Sequence, residues 1–160
     1  MFAPVECVLR EPLDDDVAVL FEQWADPVAA HMAAFTSPEH MDRDAYARRW
    51  ARLQADESVL NRVIVADGEV AGTIGSWGEA GDRELTYWIG RAYWGRGIAT
   101  AALEAFLAVD PSRPMRARVA ADNVGSRRVL EKCGFRVVGT DRGFAEARAG
   151  EIDELVLEFV

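Results

Sequence analysis

A strand, a glycine-rich loop and a long helix follow one another at the centre of the chain. Alternating side chains predict a strand over 84–90, and the segment 98–109, rich in Ala, Leu and Glu, predicts a helix. Between them lies the loop Trp94-Gly95-Arg96-Gly97. The helix therefore opens on glycine, without the Ser, Thr, Asp or Asn side chain that ordinarily satisfies the N–H groups of a first turn. This order indicates an α/β domain in which the loop joins a strand to an uncapped helix.

The uncapped helix start predicts an anion site. Free N–H groups and the positive end of the helix dipole favour a negative ligand, and a pyrophosphate fits that description. Gly95 and Gly97 let the backbone approach such a ligand, and Arg96 adds a charge that can pair with phosphate. The alternative is a glycine turn before a buried helix.

The same loop only approximates the GxGxxG pattern of dinucleotide-binding folds. Its third glycine is replaced by Thr100, and no acidic residue follows about 20 positions later at a strand end. The motif also lies mid-chain, with little room for the second half of such a fold. The dinucleotide-binding interpretation is therefore disfavoured.

The other segments complete a mixed, mostly antiparallel sheet of six to seven strands, flanked by about four helices, in a single domain over 1–160. Strands are predicted at 5–10, 62–66, 70–77, 84–90, 116–121, 136–140 and 153–159, and helices at 14–26, 42–54, 98–109 and 123–133. The segment 27–38 is predicted to be a loop or a short irregular helix, and 141–150 a loop.

Composition and charge exclude several classes of protein. Half of the residues are hydrophobic and 28% are charged, as in a globular domain. The chain has no apolar run of about 18 residues, and its charged first twenty residues predict no signal peptide. A net charge of −9 argues against nucleic-acid binding. The stretch 81–132, with nine basic and six acidic residues, suits a small anionic ligand.

Cysteine and histidine usage predicts a cytoplasmic protein without a metal site. Cys7 and Cys133 lie in unrelated contexts, with no CxxC spacing. His31 and His40 are the two histidines, and no His/Cys cluster accompanies them.

Two linked motifs resemble the GNAT superfamily of acyl-CoA N-acyltransferases. The first is Tyr-Trp-Ile-Gly-x-x-Tyr-Trp-Gly-x-Gly-Ile-Ala-Thr over 87–100, and the second runs from Asn123 to Phe135. The likeness covers nearly the whole chain, and within the superfamily it is strongest to the branch of ribosomal-protein N-terminal alanine and serine acetyltransferases. It implies a GNAT-like fold and acetyl transfer from acetyl-CoA to a primary amine, either a protein N-terminal α-amine or a small-molecule amine. It also leaves a homodimer open.

The resemblance implies which residues hold acetyl-CoA. The pyrophosphate loop is Gly95, Arg96, Gly97, Ile98, Ala99 and Thr100. The strand whose main chain pairs with pantetheine is Trp88, Ile89 and Gly90, and the residues that orient the pantetheine and thiol end are Asn123 and Ser126. The chain departs from the family twice. Trp94 begins the loop where Gln or Arg is frequent, and Leu130 stands where many members have a tyrosine general acid.

Two residues are candidates for catalysis. Ser126 is predicted to donate a hydrogen bond to the leaving thiolate, and Glu84 to act as a base through water. The alternatives are an ordinary helix residue and a solvated strand-end charge. Glu79, Asp82 and Glu39 are lesser candidates for the base. An α-amine, with a pKa of about 7.7–8.0, needs a strong base less than a lysine amine does, whose pKa is about 10.4.

The missing tyrosine leaves a second function open, a non-catalytic acyl-CoA-binding or regulatory domain that kept the cofactor motifs. Acceptor specificity is expected in the two least regular stretches, 27–41 and 141–150.

Overall fold

Seven strands form one sheet in the computed structural model, which describes residues 5–36 and 42–160. The strands are β1 Cys7–Arg10, β2 Leu60–Ala66, β3 Glu69–Trp77, β4 Arg83–Ile89, β5 Met115–Ala120, β6 Arg136–Ala145 and β7 Gly150–Phe159. Their order in the sheet is β1-β2-β3-β4-β5-β7-β6. Neighbouring strands are antiparallel except β4 and β5, which are parallel. The predicted mixed, mostly antiparallel sheet is confirmed.

Helices cover both faces of this sheet. They are α1 Asp16–Trp24, α2 Pro27–Ala33, α3 Arg43–Ala55, α4 Ile98–Val109 and α5 Val124–Lys132. Alternation along β2 sends Val63 to the face covered by α1 and α3, where it packs with Leu20 and Trp50. Its neighbour Ile64 joins the larger core cluster on the other face, which contains Phe106 of α4. Packing within this larger cluster fixes α4 against the sheet, with its N-terminus beside the end of β4.

The parallel strands β4 and β5 are paired only where they begin. Arg83 lies opposite Met115 and Glu84 opposite Arg116, and no further pair follows between the two strands. Beyond this point β4 is paired with β3 and β5 with β7. The facing edges of 85–89 and 117–120 therefore lack a ladder, and their backbone polar groups, apart from the Ile89 and Ala120 carbonyls, are left for another partner.

The segment 27–33 is a regular helix, α2, where the sequence analysis predicted a loop or a short irregular helix over 27–38. Asp26 Oδ1 accepts a hydrogen bond from the Val28 N–H at 3.0 Å, and Pro27 takes the first helical position. Both are ordinary helix-start signals. Residues 37–41, including the lesser base candidate Glu39, lie outside the described residues.

The segment 141–150 is mostly strand rather than the predicted loop. β6 continues to Ala145, a 3-10 turn covers Glu146–Arg148, and β7 begins at Gly150. Arg142 lies directly opposite Asp153, and their side chains form an ion pair of 2.9 Å between Nη1 and Oδ1. Charged cross-strand pairs stabilise this part of β6 and β7 in place of alternating apolar residues. A prediction from hydrophobic alternation therefore does not detect the strand.

A buried ion pair fastens the C-terminus of α4 to the sheet. Arg83 Nε donates to Asp110 Oδ2 at 2.7 Å, and Ser76 Oγ donates to the same oxygen at 2.5 Å. All three residues are buried. Burial raises the pKa of Asp110, but hydrogen bonds from Ser76, Ser112 and Arg83 outweigh it and hold that pKa well below its ordinary value. The ionised pair joins β3, β4 and α4 next to the point where β4 and β5 diverge.

We expect Asp110→Asn to lower the free energy of unfolding by about 3–5 kcal/mol at pH 7, because it leaves the buried Arg83 charge without a counter-charge. Since the folded-state pKa of Asp110 is depressed, this contribution is complete above the ordinary carboxyl pKa of about 3.9 and is lost as the pH falls below it. Urea denaturation of both proteins measures the difference. Asp82→Asn, which breaks an exposed pair with Arg116, is the control and should cost less than about 1 kcal/mol. Equal losses for the two variants would contradict the assignment.

Candidate active site

A cavity of about 630 Å³ opens where β4 and β5 diverge. Its walls are the end of β4, the glycine loop, the first turns of α4 and α5, and one face of α2. The lining residues are 87–89, 93–95, 97–100, 122–126, 128, 129 and 132, together with Ala29, Met32 and Ala33. The volume is in the range of small-molecule sites.

The glycine loop presents the N-terminus of α4 to this cavity. Gly97 is the N-cap residue with φ of +77°, and no side chain hydrogen-bonds to the first turn. Gly95 also has a positive φ, of +75°. Residues with a Cβ are strained in this region, so both turns require glycine. The predicted absence of a cap is confirmed, and the first-turn residues Ile98, Ala99 and Thr100 line the cavity.

Asn123 caps the second helix that begins at the cavity, α5. Its Oδ1 accepts from the Ser126 N–H at 3.2 Å, and its Nδ2 donates to the Met32 carbonyl at 3.4 Å. The first bond caps α5, and the second ties α5 to α2. Contact of this side chain with pantetheine stays a prediction.

Ser126 is paired with a tyrosine that sequence reasoning missed. The Tyr87 Oη lies 2.6 Å from the Ser126 Oγ, and both residues line the cavity. Burial raises the pKa of Tyr87 to about 12, so the phenol is protonated at neutral pH. Strand alternation places Tyr87 on the face opposite Glu84, but no sequence signal links it to a residue 39 positions away.

Glu84 lies away from the residues that line the cavity. It is in the paired beginning of β4, and its Oε1 is 3.4 Å from Arg118 Nε. Asp82, a lesser candidate, pairs with Arg116 at 2.9 Å. The structure thus does not bring Glu84 together with Ser126, and its role as a base stays a prediction. The acidic residue of the lining is Asp122, which accepts two hydrogen bonds from Arg148; these hold the pKa of Asp122 below its ordinary value.

The Arg96 side chain points away from the cavity lining. Its Nη2 donates to Asp67 Oδ2 at 3.1 Å in the β2–β3 turn, and its guanidinium lies over the Tyr93 ring. The cations of the lining are Arg128 and Lys132, and neither forms an ion pair with any residue described. Their i, i+4 spacing places them on one face of α5, a signal that sequence reasoning overlooked.

Two indoles fix the end of β4. Trp94 Nε1 donates to the Ile89 carbonyl at 2.8 Å, which gives a structural role to the residue that departs from the family pattern. Trp88 Nε1 donates to the Gln23 carbonyl at 3.0 Å, and its ring packs on Trp24. The Gly90 N–H is used within the sheet, by the Ala71 carbonyl.

Most of the predicted cofactor residues meet in one place. Those that line the cavity are Trp88, Ile89, Gly95, Gly97, Ile98, Ala99, Thr100, Asn123 and Ser126, whereas Gly90 and Arg96 are outside its lining. Over the ranges 5–36 and 42–160, no cluster of three His, Cys, Asp or Glu side chains is arranged to hold a metal ion. No helix in these ranges combines the length and apolar composition that a membrane crossing needs.

Comparisons with known proteins all find similarity to acetyltransferases. Residues 7–136 match the family model described as acetyltransferase (GNAT) domain. The chain is 27% identical to the uncharacterized N-acetyltransferase p20 of Bacillus licheniformis, over 91% of this chain and 87% of that protein. Its structure resembles RimJ of Mycobacterium smegmatis in complex with CoA-disulfide, with a TM-score of 0.78, 26% identity, and coverage of 98% of this chain and 85% of that one. It also shares the fold of the ribosomal-protein-alanine N-acetyltransferase of Brucella melitensis, with a TM-score of 0.81, 17% identity, and coverage of 96% and 99%.

We expect Asn123→Ala to destabilise the protein by about 1 kcal/mol, because the Ser126 N–H loses its cap. For a domain of this size the change corresponds to a fall of about 2–4 °C in the melting temperature. Asn123→Asp keeps a cap acceptor at the same position and is the matched control. Thermal melts that show no difference between the Ala variant and the wild type would contradict the assigned cap.

Proposed function

The chain belongs to the acetyltransferase (GNAT) family and is an acetyl-CoA-dependent N-acetyltransferase, and we propose that its acceptor is a primary amine, with a protein N-terminal α-amine favoured over a small-molecule amine. The observation that carries the proposal is the cavity at the end of β4, onto which two helix N-termini open. One of these helices has no side-chain cap, and the other carries a serine hydroxyl in its first turn.

The cavity offers separate groups for each part of acetyl-CoA. The first-turn N–H groups of α4 suit the pyrophosphate, because they are uncapped and lie at the positive end of a twelve-residue helix. Arg128 and Lys132 add positive charge for the phosphates. The edge of β4 over 85–89, which has no partner on the β5 side, suits the amide groups of pantetheine.

The reaction requires a neutral amine and a stabilised thiolate. The amine nitrogen attacks the thioester carbonyl, the carbon–sulfur bond breaks, and its electron pair goes to sulfur. Ser126 is proposed to donate a hydrogen bond to the sulfur as this charge develops. Such an interaction acts mainly in the transition state and so raises the rate rather than the affinity.

The absence of a free carboxylate from the described lining favours an α-amine acceptor. Asp122 is held by Arg148, and Glu84 by Arg118. At pH 7, deprotonating a lysine amine costs about 4.6 kcal/mol, whereas deprotonating a protein α-amine costs only about 1–1.4 kcal/mol. A site whose described lining has no free carboxylate is therefore better matched to the α-amine.

The acceptor is proposed to enter beside α2 and the turn 146–148. Arg148 links these parts, because its Nε donates to the His31 carbonyl at 2.6 Å while its two terminal nitrogens bind Asp122. Met32 and Ala33 of α2 line the cavity beside them. Side chains of α2 and of this turn would then select the acceptor.

The proposal is tested with purified protein, acetyl-CoA and matched amines, following free thiol by absorbance and acetylated product by mass spectrometry. The panel contains Ala- and Ser-initiated peptides, the same peptides with a blocked N-terminus and an internal lysine, and small amines that include spermidine. We expect thiol release with free α-amines and none with blocked peptides. Equal rates with blocked peptides would contradict the α-amine preference. Acetyl-CoA binding without thiol release for any amine would contradict amine transfer and favour a non-catalytic binding domain.

We expect Gly97→Val to weaken acetyl-CoA binding by at least about tenfold in calorimetric titration. The new side chain would stand between the backbone and the pyrophosphate, and the positive φ would be strained. Gly139→Val makes the same replacement on β6, where no heavy atom lies within 4 Å of the new Cβ and φ is not positive, and should bind normally.

Arg96→Ala is expected to have a smaller, salt-dependent effect, because that side chain is engaged by Asp67. Unchanged affinity in a folded Gly97→Val protein would place the cofactor elsewhere.

A further inference from the structure

The hydroxyl of Ser126 has one hydrogen-bond partner within the described part of the chain. Its Oγ lies 2.6 Å from the Tyr87 Oη, within the normal range for two hydroxyls. Tyr87 projects from the part of β4 that is paired with β3 but not with β5, and Ser126 from the first turn of α5, so the contact bridges the two sides of the cavity. Both side chains line that cavity.

Either hydroxyl can donate in this contact, and the chemistry of the two groups favours Tyr87 as the donor. A phenol is a stronger acid than an aliphatic alcohol and is therefore the better donor, whereas the alcohol oxygen is the better acceptor. The other acceptor near Tyr87 is the Ser126 carbonyl, which is more distant, at 3.3 Å. The shorter bond, with Tyr87 as the donor to Ser126 Oγ, is therefore the favoured arrangement. Because burial raises the pKa of Tyr87 to about 12, this proton is present across the working range of pH.

A serine hydroxyl carries a single proton, so accepting from Tyr87 leaves that proton for another partner. The backbone of Ser126 is fixed independently, since its N–H is held by Asn123 Oδ1 at 3.2 Å. With the main chain and the oxygen both held, the remaining O–H direction is restricted by the bond to Tyr87.

We propose that Tyr87 is a positioning residue, which directs the proton of Ser126 into the cavity toward the sulfur of the thioester. This inference rests on the proposed function, and specifically on Ser126 as the donor to the leaving thiolate. The carbon–nitrogen bond forms, the carbon–sulfur bond breaks, and the electron pair goes to sulfur. The proton that the amine nitrogen loses balances the proton that the thiolate gains through solvent, while Ser126 and Tyr87 keep their own protons.

A double-mutant cycle tests the inference, with Tyr87→Phe, Ser126→Ala and the combined variant. Each is assayed for single-turnover thiol release and for acetyl-CoA affinity. We expect Tyr87→Phe to slow single turnover by about three- to tenfold, the value of one modest hydrogen bond, with unchanged affinity. In the Ser126→Ala background the same change should have no further effect, because the hydroxyl that it positions is gone.

Tyr46→Phe is the matched control, since it removes another buried phenol oxygen from a position between α1 and α3, away from the cavity. Thermal melts confirm that each variant is folded. Equal rate losses from Tyr87→Phe with and without Ser126, or a loss that appears as weaker acetyl-CoA binding, would overturn the positioning role. A full rate in Tyr87→Phe while the wild type acetylates amines would overturn it and leave the proposed function standing. A wild type that releases no thiol with any amine would overturn both.

Discussion

The parallel pairing of β4 with β5 stops after Glu84 and Arg116, and the site depends on that divergence. Two strands that separate expose backbone groups that a continued ladder would satisfy. Here the gap is held open from both sides, because β3 pairs with β4 and β7 with β5. The buried Arg83–Asp110 pair stands at the closed end of the gap, and the first turns of α4 and α5 at the open end. The cavity is thus a product of sheet topology, with the glycine loop giving it one uncapped helix.

Charge is used for two separate purposes within the basic stretch 81–132. Most of its arginines stabilise the fold in ion pairs, as Arg83, Arg116 and Arg118 do. Arg128 and Lys132 instead face the cavity from one side of α5. The carboxylate of the lining is already paired with Arg148. This arrangement suits phosphate groups and, under the proposed function, favours an acceptor amine that loses its proton at little cost.

Local signals predicted the parts of the structure that depend on neighbours in sequence. The helix α4 follows from its composition, its uncapped start from Gly97, and α5 from the helix predicted over 123–133. Features set by tertiary packing were not predicted. The Arg96 side chain turns to Asp67 rather than to the loop it belongs to, and Tyr87 meets Ser126 across two elements. Such contacts depend on where the sheet divides, and no single segment encodes that.

The central claim, that the uncapped first turn of α4 receives the pyrophosphate, is tested most directly by titrating acetyl-CoA into ¹⁵N-labelled protein and following each backbone amide. The account predicts that the largest shifts occur at the amides of residues 96–100, with a second group along the free edge of β4 at 85–89. If equimolar acetyl-CoA shifts the resonances of other amides and leaves those of 96–100 unchanged, the result would contradict this assignment.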